Sequence, residues 1–110
     1  MASEEFVIAL TTFPLDADAE AFARTLVEER LAACVNVLPP MRSIYTWADR
    51  VESSEERQLI MKTTKERLTD LNARVKTLHP YAVPEFLVLP VLTGDDDYLS
   101  WLRDGTRRPV

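Results

Sequence analysis

At 110 residues and 12.6 kDa the chain has the size of one domain, residues 1–110, with no room for a separate cofactor module. Eighteen Asp and Glu against thirteen Lys and Arg leave a net charge of -5 and a pI near 4.8, which argues against attraction to nucleic-acid backbones or anionic membranes. Two glycines exclude a Gly-rich nucleotide loop, and the single Cys34 excludes an intrachain disulfide and any zinc site of the repeated-Cys kind.

The run Phe6–Leu10 is short, apolar and partly β-branched, as in a buried strand. From Ala19 the apolar residues fall at Ala19, Phe22, Ala23, Leu26 and Val27. That spacing predicts an amphipathic helix ending near Leu31, with Asp16 as its cap. A second strand is expected at Ala33–Leu38, interrupted by Pro39 and Pro40 and resumed at Ser43–Trp47, so it belongs at a bend or a sheet edge. Ala48-Asp49-Arg50 reads as a turn into a third extended piece, Val51–Thr63, in which Leu59 and Met61 alternate with Gln58, Ile60 and Lys62, one face apolar and the other mixed.

Thr63-Thr64-Lys65-Glu66 has the form of a capping box, Thr63 capping and Glu66 reaching back, before a helix through Leu68, Leu71, Val75 and Leu78. Pro80 forbids helical geometry at His79, so that helix stops at about Leu78. A last strand is expected at Glu85–Leu89, and Asp95–Asp97 start a short helix through Trp101. The order β-α-β-β-α-β predicts an α+β ferredoxin-like fold, an antiparallel sheet with helices on one face plus a short C-terminal helix.

Fully extended, residues 51 to 63 span about 43 Å, against a diameter of about 34 Å for a compact chain of this length. Either Ser53-Ser54 breaks the strand or the hairpin overshoots its own domain. An overshooting hairpin carries unpaired backbone groups that another chain must cover, which favours an oligomer built by strand pairing between subunits.

Few side chains offer chemistry. Cys34 lies in an apolar run and reads first as a small buried hydrophobe. As a soft-metal donor it needs partners, and His79 is the only histidine. His79, Tyr81 and Glu85 would share one face of an extended segment, offering one nitrogen and two oxygens. Lys62 stands just before a helix start, where it either reaches water or neutralises an anionic ligand. Tyr45 and Trp47 alternate on one strand face and are expected in a core or an interface. The residues Met1–Glu5 are acidic and the apolar run after them is brief, so no secretory signal is expected. No run nears the ~20 apolar residues of a membrane span, and the expected compartment is the cytoplasm, reducing enough to keep Cys34 a thiol.

Taken in order, Leu31–Asn36, Ser43–Trp47, Met61-Lys62-Thr63, His79–Glu85 and Tyr98–Leu102 resemble the CutA divalent-cation tolerance proteins over most of the chain. The resemblance implies a ferredoxin-like subunit, a tight homotrimer with strands shared between subunits, and similarity to PII-type signalling proteins. It implies a role in tolerance of divalent metals, copper among them, with metal ions and identical subunits as partners, no nucleic acid or membrane, and no identified protein partner. It also implies an intersubunit cleft in which Cys34, Lys62, His79, Tyr81 and Glu85 are the matching residues. Lys62, Tyr81, Glu85 and Trp47 are the expected ligand-binding residues of that cleft, and Cys34 and His79 its expected metal donors. The chain departs from the family pattern at Ala82, where a Glu is usual, and at Trp47-Ala48-Asp49, where Trp-x-Gly is usual. The main expectation is a non-enzymatic binding or signalling protein. Its alternative is a small cleft enzyme in which Lys62 binds an anion and His79 or Glu85 moves a proton.

Overall fold

The computed structural model describes residues 5–108; the acidic stretch Met1–Glu4, read above as no secretory signal, lies outside them. Four strands, β1 (Phe6–Pro14), β2 (Cys34–Trp47), β3 (Arg50–Thr64) and β4 (Leu87–Pro90), form one sheet in the order β2-β3-β1-β4. Every neighbouring pair is antiparallel. Three helices, α1 (Ala19–Glu28), α2 (Leu68–Leu78) and α3 (Asp96–Gly105), complete the α+β chain. The sheet order and connections are those of the expected ferredoxin-like arrangement.

Alternation along the strands decides which face is closed. Ala9 and Phe13 of β1 and Leu59 and Met61 of β3 point to one side, where they pack on Phe22 and Leu26 of α1 and Leu71 and Val75 of α2. A bidentate pair, Arg74 to Glu29 at 2.8 Å, ties the two helices together on the outside. Among the described residues the opposite face is covered only at one end, where Leu99 and Leu102 of α3 sit on Phe6. Beyond that end two cross-sheet rows lie open: Cys34–Lys62–Ile8–Leu89 and Asn36–Ile60–Leu10–Leu87. Leu87 and Leu89 are 58% and 51% exposed.

Several local expectations are corrected. Asp18, not Asp16, caps α1, accepting from the Ala21 N–H at 2.9 Å. The helix ends at Glu28 rather than Leu31, because Arg30 turns left-handed (φ 60°) and the Leu31 N–H returns to the Leu26 carbonyl. Pro39 and Pro40 do not split the second strand; a bulge between Val37 and Pro40 absorbs them on the edge strand β2. No capping box forms, since the Thr63 hydroxyl donates to the Leu31 carbonyl at 2.7 Å. The chain instead enters α2 through a 3-10 turn, Lys65–Arg67. The last strand is Leu87–Pro90 rather than Glu85–Leu89, and α3 runs past Trp101 to Gly105.

Ser53-Ser54 do not break β3, so the hairpin overshoots. β1 stops at the Pro14–Glu56 pair, leaving Arg50–Glu55 paired with β2 alone. The molecule is accordingly long, 45 × 27 × 23 Å. At the tip, Ala48 and Asp49 both adopt positive φ, 51° and 61°, the pattern of a two-residue type I′ turn. Side chains with a Cβ resist that conformation. Asp49→Gly is therefore expected to stabilise the fold by about 0.5–1 kcal/mol. Urea unfolding of the two proteins checks it, with a higher midpoint and an unchanged slope as the expected result.

Candidate functional site

The β4 strand pairs with β1 only from Val7 to Leu10, so the Thr11–Pro14 stretch of β1 has lost its strand partner on that side. Residues 79–86 lie there without helix or strand, because Pro80 and Pro84 deny them a regular ladder. Side chains take over the pairing. The His79 Nε2 lies 2.7 Å from the Thr12 carbonyl, and the Gln58 amide donates to the Thr11 carbonyl at 2.7 Å. Gln58 also donates to the Glu85 carboxylate at 3.0 Å, and the Tyr81 hydroxyl donates to the Glu56 carboxylate at 2.7 Å. The result is a compact polar cluster of Glu56, Gln58, His79, Tyr81 and Glu85.

Its electrostatics follow from burial. His79 and Glu56 are each 8% exposed. Burial holds the His79 imidazole below its usual range, opposed by the Thr12 carbonyl and the Glu56 charge. Burial and the Glu56 carboxylate together push the Tyr81 phenol above its usual range. The unfolded chain therefore takes up a proton near pH 6.5 that the folded chain resists. Stability contributed here is intact above about pH 7 and falls as pH drops through 6.5 toward the lower folded value. Comparing the pH dependence of unfolding in the native protein and in His79→Gln checks this, the variant being expected to lose the decline.

Cys34 and Lys62 fall elsewhere. They are register partners on β2 and β3, both half-buried, and the Lys62 ammonium lies 5.9 Å from the centre of the Tyr98 ring. Their row is four residues along the sheet from Gln58 and Thr12, about 13 Å. Trp47 is more distant still, at the hairpin tip and 67% exposed, so neither it nor the 43% exposed Tyr45 is a core residue of this chain. The six residues singled out in the sequence thus form three groups: Cys34 with Lys62, His79 with Tyr81 and Glu85, and Trp47 alone. Cys34 and His79 do not make a ligand set within one chain, and the described residues hold no cluster of three His, Cys, Asp or Glu side chains suited to a metal. Two surface cavities are lined by none of the six.

Glu56 and Gln58 escaped the sequence reading. Glu56 sits in the acidic stretch Glu52–Glu56, which looks like a solvated strand face, yet it is buried and accepts from Tyr81, 25 residues away. The alternation of β3 did place Gln58 on the face opposite Leu59 and Met61, the one signal available for it.

Comparison with known proteins places this arrangement. The family described as CutA1 divalent ion tolerance protein matches residues 7–105. The divalent-cation tolerance protein CutA of Thermus thermophilus is 48% identical over 99 residues, 90% of this chain and 96% of the relative. The solved structure of CutA from Synechococcus elongatus superposes with a TM-score of 0.91 at 34% identity, covering 97% of this chain and 95% of the other. The periplasmic divalent cation tolerance protein CutA from Archaeoglobus fulgidus superposes with a TM-score of 0.88 at 30% identity, over 93% and 99% of the two chains. With nearly the whole chain matched in sequence and in fold, the protein belongs to the CutA1 divalent ion tolerance family.

Proposed function

We propose that this protein acts in tolerance of divalent cations as a homotrimer, without catalysing a reaction. The observation that carries the reading is the open sheet face. Leu87 and Leu89 stand exposed beside the half-buried Ile8, Leu10 and Ile60, a contiguous apolar surface of the kind that marks an interface. The overshooting hairpin supports it, with Ile44, Trp47 and Val51 each more than 65% exposed on a projection that reaches beyond its own sheet. A hairpin laid on the edge strand of the next copy is a head-to-tail contact, which must close into a ring to avoid running on as a filament.

Copper is our finer reading of the cation, on the softness of the Cys34 thiol. With one such thiol per chain, the remaining donors have to come from other copies or other molecules. The enzyme alternative draws no support from geometry, since Lys62 and His79 lie in separate groups and both His79 ring nitrogens are engaged. No helix among the described residues is long and apolar enough to cross a membrane. We assign the protein to the cytoplasm, where a lone thiol stays reduced, although the Archaeoglobus relative is described as periplasmic.

Growth of cells lacking the gene under graded copper tests the role. Reduced tolerance restored by the native chain is the expected result. Equal growth with and without the gene, across copper and zinc, would contradict it.

A further inference from the structure

We propose that His79 is a positioning residue rather than a metal ligand: its neutral imidazole, protonated at Nε2, clamps residues 79–86 to β1 and so sets Tyr81 on Glu56 and Glu85 on Gln58. The assignment goes beyond tolerance of cations and does not depend on the trimer. It rests on which partner can do what. The Tyr81 backbone N–H only donates, and it points at Nδ1 from 3.1 Å, so Nδ1 accepts and carries no proton. The Thr12 carbonyl only accepts, at 2.7 Å, so Nε2 carries the proton.

A neutral imidazole has one ring-nitrogen lone pair to offer, and here the Tyr81 amide holds it. A cation at Nδ1 must displace that amide. A cation at Nε2 must expel the proton and break the bond to Thr12. Either event removes one of the two ties by which His79 holds the segment. The ring is also packed among aromatic neighbours, with ring centres of Phe13 at 4.4 Å, Tyr81 at 4.9 Å and Phe22 at 6.3 Å. The other polar ties of the segment are Tyr81 to Glu56 and Gln58 to Glu85, and both lie downstream of His79 in the chain. Cys34 then stands as a soft donor without an imidazole beside it.

His79 is the only histidine, so ring-15N NMR of the reduced, full-length protein reads this group alone. The expected spectrum is the Nε2–H tautomer near pH 7.5, unchanged by one equivalent of zinc. An Nδ1–H tautomer, or ring signals that move with that equivalent of zinc, would overturn the assignment. A second readout follows Tyr81 by 13C-tyrosine NMR in His79→Ala. Its ionisation should fall toward the ordinary value of ~10. An unmoved Tyr81 would show that His79 does not position it. His79→Gln keeps a donor for the Thr12 carbonyl and should hold Tyr81 closer to its native state; a glutamine no better than alanine would remove the Thr12 tie from the account. Should the alanine variant fail to fold, the native tautomer and its response to zinc still decide.

Discussion

Leu89→Glu is expected to yield a folded monomer. In one chain Leu89 is 51% exposed on β4, and a change there costs an isolated subunit no more than about 0.5 kcal/mol. In an assembly closed over the open face, the same position buries a carboxylate against Ile8, Leu10 and Ile60, with Lys62 across Ile8 as the one cation in its row. Such a group costs several kcal/mol per copy, roughly a thousandfold or more in association. Light scattering with size-exclusion chromatography separates the outcomes, and circular dichroism reports whether the fold survives. A Leu89→Glu protein that keeps the native assembly would mean that the open face is not the contact.

The second large effect belongs to the closed face. Leu71 is fully buried where α2 meets the sheet, among Leu59, Met61 and Val75. Leu71→Ala removes three carbons and leaves a cavity that the packed helix cannot collapse, a loss of about 2–5 kcal/mol. Whole domains hold only about 5–15 kcal/mol, and the thermal midpoint should fall by roughly 10 °C or more. Ile44→Ala, at a position 71% exposed, is the control within a single chain. The two substitutions separate the forces that make the subunit from those that join subunits. A Leu71→Ala midpoint within 2 °C of the native protein would contradict the packing described.

How much of this was readable in advance depended on the range of the forces involved. The order of elements was legible because periodicity is local: the stripe Ala19, Phe22, Ala23, Leu26 and the alternation of Leu59 and Met61 with Gln58, Ile60 and Lys62 each declare one buried face. The stop at Leu78 was legible because Pro80 acts on its immediate neighbour. Caps were less so. Thr63 has the sequence of a capping residue, but the Leu31 carbonyl, 32 positions away, takes its hydroxyl. The same holds for the polar cluster. Spacing drew attention to His79, Tyr81 and Glu85, but their segment is not the extended strand that the shared face assumed, and the partners that hold them, Thr12, Glu56 and Gln58, came from two other strands. The overshoot of the hairpin was arithmetic on strand length, and the 45 Å long axis agrees with it.

The reading of the open sheet face proposes that this chain works as three copies closed over it. Sedimentation equilibrium of the reduced, metal-free protein at micromolar concentration measures it directly. The predicted result is a single species with three times the 12.6 kDa mass of the chain, unchanged on moderate dilution. A species of 12.6 kDa at the same concentration would contradict it.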